Sequence, residues 1–240
     1  MHTRTRLIFC LLAALPGLLP LSSDAQMPMG GKSKAGMDPS LTKLFGKHTA
    51  FSTKGDLKML IPGQKDAMTL PMDMALADGK LRTEVDMQAM GMGMDRVVSI
   101  YRPDKKMMFV AIPAFKAYAK VAMTKEEVEN AEKTPKVEST PLGKATLDGH
   151  PCEKSKEVIT GADGQKQEAI VWRATDLKEF PIQIEAKTDE GSFTLRYKKV
   201  DFAKPDAKEF EPPAGFKAYD DVQSLMMGVM QQMMQSQGTH

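Results

Sequence analysis

Met87, Met90, Met92 and Met94 place four thioethers in one short run, Met87-Gln88-Ala89-Met90-Gly91-Met92-Gly93-Met94. Soft thioether sulfur suits Cu(I), and Gly91 and Gly93 leave the backbone between the sulfurs pliable. At strand spacing Met90, Met92 and Met94 share one face, with Met87 on the other. A Cu(I) site made of these methionines is therefore one chemistry open to the chain. His150 and Cys152 also share a face at that spacing, but they lie far along the sequence from the methionines. Other reactive arrangements are missing. His48, His150 and His240 form no zinc-protease pair, and neither a Gly-x-Ser-x-Gly elbow nor a cysteine pair is present. Gly31-Lys32-Ser33 looks like the end of a phosphate loop, but Gln26 stands where the first glycine is required and no apolar strand precedes it. Carboxylates alternate with lysines, as on solvated strand faces. The expectation is a protein that is not an enzyme and has no resident cofactor, unless Cu(I).

A second chemistry is apolar binding. Met68, Leu70, Met72, Met74 and Leu76 alternate with Thr69, Pro71, Asp73, Ala75 and Ala77, and after Asp78-Gly79 the alternation resumes at Leu81, Thr83, Val85 and Met87. Asp-Gly favours a two-residue type I′ hairpin. That turn sets Leu76 opposite Leu81, Met74 opposite Thr83, Met72 opposite Val85 and Leu70 opposite Met87. Every apolar residue then falls on one side, and a one-residue slip would undo this. Met68, Leu70, Met72, Met74, Leu76, Leu81, Val85 and Met87 are the expected lining of an apolar groove. Unbranched methionine adapts to ligands of varied shape, and each buried methylene of an acyl chain contributes about 0.8 kcal/mol. The same residues would equally serve as ordinary core. Pro71 points outward and cannot donate to a ladder, which predicts an edge or a bulge there.

The elements around this hairpin are mostly strands. A short helix is expected from Asp38 or Ser40 to about Lys47. Strands are expected at Val97 to Tyr101, Met107 to Ile112 and Phe115 to Val121. Thr124-Lys125-Glu126-Glu127 is a capping box that opens a short helix to about Lys133. Thr134 to Pro141 reads as a proline-containing connector between two halves. Later strands are expected at Thr146 to Ile159, Gln165 to Trp172, Pro181 to Lys187 and Ser192 to Phe202, with turns at 161–164 and 189–191. Short strands at near-regular spacing imply one antiparallel sheet, strongly curved or nearly closed. From Asp220 the pattern changes. Val222, Leu225, Met226, Val229, Met230 and Met233 follow helical spacing opposite Gln223, Ser224, Gln231 and Gln232, with Asp220 or Asp221 as cap and Gly228 as a weak point. The polar face of this tail carries no Lys or Arg, unlike most interfacial helices. A plug for its own sheet or a contact for a protein partner is the expected role.

The start of the chain has three parts. Arg4 and Arg6 precede the apolar stretch Leu7 to Leu21, which Pro16 and Pro20 interrupt, and Ser23-Asp24-Ala25 supplies small residues for cleavage. The expectation is a signal peptide over 1–25 and a periplasmic or secreted protein. A flexible leader follows over 26–37. Cys10 lies inside the apolar stretch, so no lipid anchor is expected, and Cys152 alone survives cleavage, which rules out an intramolecular disulfide. Loss of Arg4, Arg6 and Asp24 takes the formal charge from +2 to +1. That balance gives no reason to expect a nucleic-acid partner. No other stretch approaches membrane-spanning length. Methionine is in marked excess, with 20 residues against 10 Phe, 4 Tyr and 1 Trp.

Several short motifs carry a family resemblance. They are Trp172-Arg173-Ala174-Thr175-Asp176-Leu177 followed by Phe180-Pro181-Ile182, then Val200-Asp201-Phe202, Pro205-Asp206, and Phe210-Glu211 leading to Pro213-Ala214-Gly215-Phe216. Lys80-Leu81-Arg82, Pro113, Lys116 and Tyr118 add to them. Over residues 45–219 the chain resembles a bacterial domain family of unknown function related to the outer-membrane lipoprotein carriers LolA and LolB. The resemblance implies a mainly β (α+β) fold: a strongly curved antiparallel half-barrel over 38–219, with a few short helices across its concave side. The amphipathic tail over 220–240 is expected from its own helical spacing and is not a feature of the carriers. The resemblance also implies an apolar cavity for acyl chains and a role as carrier or envelope sensor, with lipid or lipoprotein as partner; the tail's own pattern adds an envelope protein as a further expected partner.

Overall fold

The computed structural model describes residues 39–60, 66–91, 94–132, 136–161, 164, 166–188 and 191–237. The signal peptide, the flexible leader and Met92 lie outside these residues. A 3-10 helix, Pro39–Phe45, leads into β1 (Ala50–Leu60). There Phe51, Thr53, Leu57 and Met59 are buried on one face of the strand. Then come β2 (Met68–Ala77), β3 (Lys80–Asp86), β4 (Arg96–Arg102), β5 (Met107–Ile112) and β6 (Ala117–Ala122). Helix α1 (Lys125–Glu132) precedes β7 (Lys136–Leu147), β8 (His150–Thr160), β9 (Lys166–Ala174), β10 (Phe180–Thr188) and β11 (Gly191–Asp201). A short β12 (Lys217–Tyr219) and helix α2 (Val222–Gln237) finish the described chain.

All twelve strands form one curved, unclosed sheet in the order β12-β6-β5-β4-β3-β2-β1-β11-β10-β9-β8-β7. The pairing is antiparallel except at β12–β6. From β1 at the centre the chain meanders outward to β6. The connection that contains α1 then carries it to the far edge, and it meanders back through β8 to β11 beside β1. The expected half-barrel is therefore present. The hairpin register is the expected one: Leu76 faces Leu81, Met74 faces Thr83 and Met72 faces Val85. Asp78 and Gly79 both have positive φ, 52° and 74°, as a type I′ turn requires. Pro71 is exposed and pairs with Asp56 of β1, while the β3 ladder begins one residue later at Met72. At Pro71 the β2 strand therefore has a neighbour on one side only.

The sheet buries apolar residues on both faces. The larger core, on what we call the inner face, gathers the hairpin row, Val97, Tyr101, Val110, Ile112, Phe180 and Ile184 with Leu44 and Phe45 of the 3-10 helix and Leu225 and Val229 of α2. Phe45, Phe51 and Phe180 pack ring to ring, with centroids 4.8 Å (Phe45–Phe51) and 4.9 Å (Phe51–Phe180) apart. On the outer face Ala75, Ala77, Val98, Ile100, Phe109 and Ala111 pack with Phe210. Arg102 pins this outer segment. It forks onto Asp104 through two 2.8 Å bonds, and its Nη1 donates to the Phe210 carbonyl at 3.0 Å and to Glu211. The two carboxylates hold the Arg102 guanidinium charged well above its usual range.

Four expectations need correction. No strand was expected at 50–60, although the alternation Phe51, Thr53, Leu57, Met59 is in the sequence; Gly55 interrupts it, at a register shift against β11. The connector expected from Thr134 is strand β7 from Lys136 onward. An edge strand has no outer neighbour, so Pro141 is tolerated at a register break and polar side chains stay exposed on both faces. The single strand expected at Thr146 to Ile159 is a second hairpin turned by Asp148-Gly149, with φ of 50° and 83°. In the tail, Met230 is exposed rather than packed. The capping box does form: Thr124 Oγ1 accepts from Glu127 N at 3.2 Å, and Glu127 Oε2 accepts from Thr124 N at 2.7 Å.

Candidate functional site

Period-two alternation in β2 and β3 sends all eight expected groove residues to the inner face. Seven of them are buried there, and Met68 is half-buried against the same core. Cross-strand pairing extends their rows. One runs Phe51, Leu76, Leu81, Tyr101, Met108; another runs Gly55, Met72, Val85, Val97. Between them lies a row with hydroxyls in it: Thr53, Met74, Thr83, Ser99, Val110, Ala119. Thr53 donates to the Lys199 carbonyl at 2.7 Å. The fully buried Tyr197 hydroxyl, its pKa pushed up by burial, lies 3.9 Å from Met74 Sδ. These hydroxyls were not singled out in the sequence, because a polar residue at an inward position of an alternating strand looks like any other exception to the pattern.

Helix α2 covers the β6 and β12 end of this face. Its N-terminus is fixed by Asp221, whose carboxylate accepts from Ser224 N at 2.6 Å and is thereby held below the usual range. Only Leu225 and Val229 among its described side chains are fully buried; Val222, Met226 and Met233 pack partly against the core. Met227, Met230 and Met234 form an outward stripe, 66%, 56% and 72% exposed. Gly228 sits in this helix because the Tyr219 ring lies against it: a Cβ there would fall 2.1 Å from the Tyr219 hydroxyl oxygen.

The methionine run is not a strand. Met87 ends the hairpin, Gln88–Met90 make a 3-10 turn, and Gly91 takes a left-handed conformation with φ 64°. Met87 N donates to the Asp95 carbonyl at 2.9 Å, which closes the loop. Met87 and Met94 are buried in the same core, and Met90 packs partly against it. Strand spacing sets Met87 opposite Met90, and the 3-10 turn at Gln88–Met90 replaces that spacing. The loop thus brings three of the four expected thioethers to one core.

His150 and Cys152 do not converge. His150 Nδ1 bonds Asp176 Oδ2 at 2.8 Å, whereas the Cys152 thiol donates to the His150 carbonyl at 3.3 Å. Burial pushes the Cys152 thiol up, so it stays protonated and unreactive at neutral pH. It lines a surface cavity of about 330 Å³ with Lys144, Thr146, Glu153 and Thr175. His48 is buried, and its Nε2 donates to the Lys178 carbonyl at 2.9 Å. The buried Glu157 is held by Arg173 through bonds of 3.0 and 2.9 Å. No three His, Cys, Asp or Glu among the described residues are placed to hold a metal ion.

Residues 54–180 match the family described as Domain of unknown function (DUF4412). No curated protein matches the chain. Similar solved structures include a LolA superfamily protein from Nitrosomonas europaea, with 10% identity, TM-score 0.42, and coverage of 72% of this chain and 95% of that one. Another is the lipoprotein LppX of Mycobacterium tuberculosis, with 13% identity, TM-score 0.39, and coverage of 70% and 93%. The MucA/MucB complex of Pseudomonas aeruginosa is a third, with 11% identity, TM-score 0.39, and coverage of 76% and 64%. No helix among the described residues is long and apolar enough to cross a membrane.

Proposed function

The chain belongs to the DUF4412 family, and we propose that it is a non-catalytic binding protein of the bacterial periplasm. Its ligand would be a lipid or the acyl chains of a lipoprotein, taken up on the inner face of the sheet for carriage or for sensing. The observation behind this is the pairing of a methionine-rich apolar face with a lightly held cover, since among the described side chains of α2 only Leu225 and Val229 are fully buried. Lifting those two side chains costs about 3–6 kcal/mol, and burying roughly eight methylenes of an acyl chain returns about 6 kcal/mol, so exchange of cover for ligand is close to balanced. Methionines at 68, 72, 74 and 87 accommodate the change, because their three rotatable bonds let them repack around chains of different shape. The uncharged outward stripe Met227, Met230, Met234 suits contact with an envelope protein. Cu(I) at Met87, Met90, Met92 and Met94 is the competing possibility, favoured by the gathering of three of these in one core.

Native mass spectrometry of the chain beginning at Gln26, recovered from its own cell envelope, separates the two. The wild type and a Met90/Met92/Met94→Leu variant are each expected to carry a lipid-sized adduct. A copper-mass adduct lost in the variant, or no adduct in either, would overturn the lipid assignment.

A further inference from the structure

Ser99 stands on the inner face, at the midpoint of β4, directly opposite Thr83 of β3 and Val110 of β5. It is 5% exposed, and its Oγ is buried without a hydrogen-bond partner among the described residues. Four other buried polar side chains do have partners: Thr53 at Lys199, His48 at Lys178, Arg102 at Asp104 and Glu211, Glu157 at Arg173. A hydroxyl desolvated without a partner is a standing cost that alanine would avoid with little change of shape. A serine there is accounted for if an occupant of the inner face supplies the missing partner.

We infer that the ligand carries an oxygen function within its apolar part, a chain hydroxyl or an ester carbonyl, and that Ser99 selects it. Thr83, buried beside Ser99 in the same row, adds a second hydroxyl to the subsite. The apolar residues to either side, Met74 and Val110, would hold the hydrocarbon that flanks the oxygen. A purely apolar face discriminates weakly between chains, whereas a buried hydroxyl left unpaired by the wrong ligand discriminates strongly. This inference rests on the inner face being a ligand face.

The test uses the delipidated chain from Gln26 and competition against a fluorescent fatty acid. The competitors are stearate and hydroxystearates with the hydroxyl near the carboxylate, at mid-chain or near the methyl end. Wild type is expected to bind at least one hydroxystearate about tenfold more tightly than stearate. Ser99→Ala is expected to erase that preference, to leave stearate affinity within about twofold, and to unfold no earlier than wild type. Equal binding of all the acids by wild type, or a preference that survives Ser99→Ala, overturns the inference while leaving lipid binding intact. An Ser99→Ala protein less stable than wild type also overturns it, since the hydroxyl would then have a protein partner. Failure of every acid to bind removes the binding function itself, and this inference with it.

Discussion

His48 shows how far a single side chain can be read from its surroundings. Its ring stacks on Phe202 and meets the edge of Phe180, each at 5.3 Å, and its Nε2 donates to the Lys178 carbonyl. Burial, with Lys47, Arg173 and Lys178 nearby, holds the imidazole below its ordinary value of 6.5. The lowered value means that the folded chain keeps His48 neutral after the unfolded chain has taken up its proton. Stability from this group is therefore complete above about pH 6.5 and is lost as pH falls from there toward the folded value. Melting temperatures taken between about pH 7.5 and 5 should decline for wild type and decline less for His48→Gln. Parallel profiles for the two proteins would remove His48 as the cause. In the sequence the residue was only one of three histidines without a zinc-protease spacing; its role as a neutral tie between the 3-10 helix and the turn after β9 depends on Lys178, which lies 130 residues away.

Among the elements, glycine acts in two different ways, and denaturant midpoints can separate them. Gly149 is a turn residue with positive φ and open space around its Cα, so Gly149→Ala costs only conformational strain, about 1 kcal/mol. Gly55 lies where β1 meets β11, and a Cβ there would fall 2.0 Å from the Arg196 carbonyl oxygen. Backbone must move to accept it, and Gly55→Ala is expected to cost about 3 kcal/mol or more. Equal losses for the two variants would mean that the β1–β11 joint yields easily. These glycines also mark what the sequence disclosed about its elements. Asp78-Gly79 was legible as a turn because clean alternation flanks it on both sides. Asp148-Gly149 is the same dipeptide in the same role, but its flanking strands are edge-ward and polar, so no alternation framed it. β1 was hidden because Gly55 breaks the pattern at the bulge. β12 was hidden because three residues have no period: Lys217, Ala218 and Tyr219 pair with Ala117, Tyr118 and Ala119, a contact that no local pattern reveals.

At the scale of the molecule, the open question is whether α2 is part of the core or a cover laid over it. The sequence marked the helix and its apolar stripe, and it marked the inner-face row that the sheet supplies. It could not show how few of the tail side chains would be engaged, because that depends on how the helix docks across β6 and β12. The sheet has its own cohesion without α2: the long ladders from β1 to β11, the aromatic cluster around Phe45, Phe51 and Phe180, and the outer core pinned by Arg102 all lie elsewhere. Ending the chain after Tyr219 keeps β12 and removes Leu225 and Val229 from the inner face. Their lost burial, offset by the conformational freedom the tail regains, should lower stability by about 2 kcal/mol. The truncated protein is expected to keep its β-type circular dichroism and a cooperative melt. It should also bind more of a fluorescent apolar dye and release fatty acid faster than the full chain, because the face beneath is then open. Loss of the cooperative melt would make α2 an integral layer of the core, and a cover that exchanges with ligand would no longer be tenable.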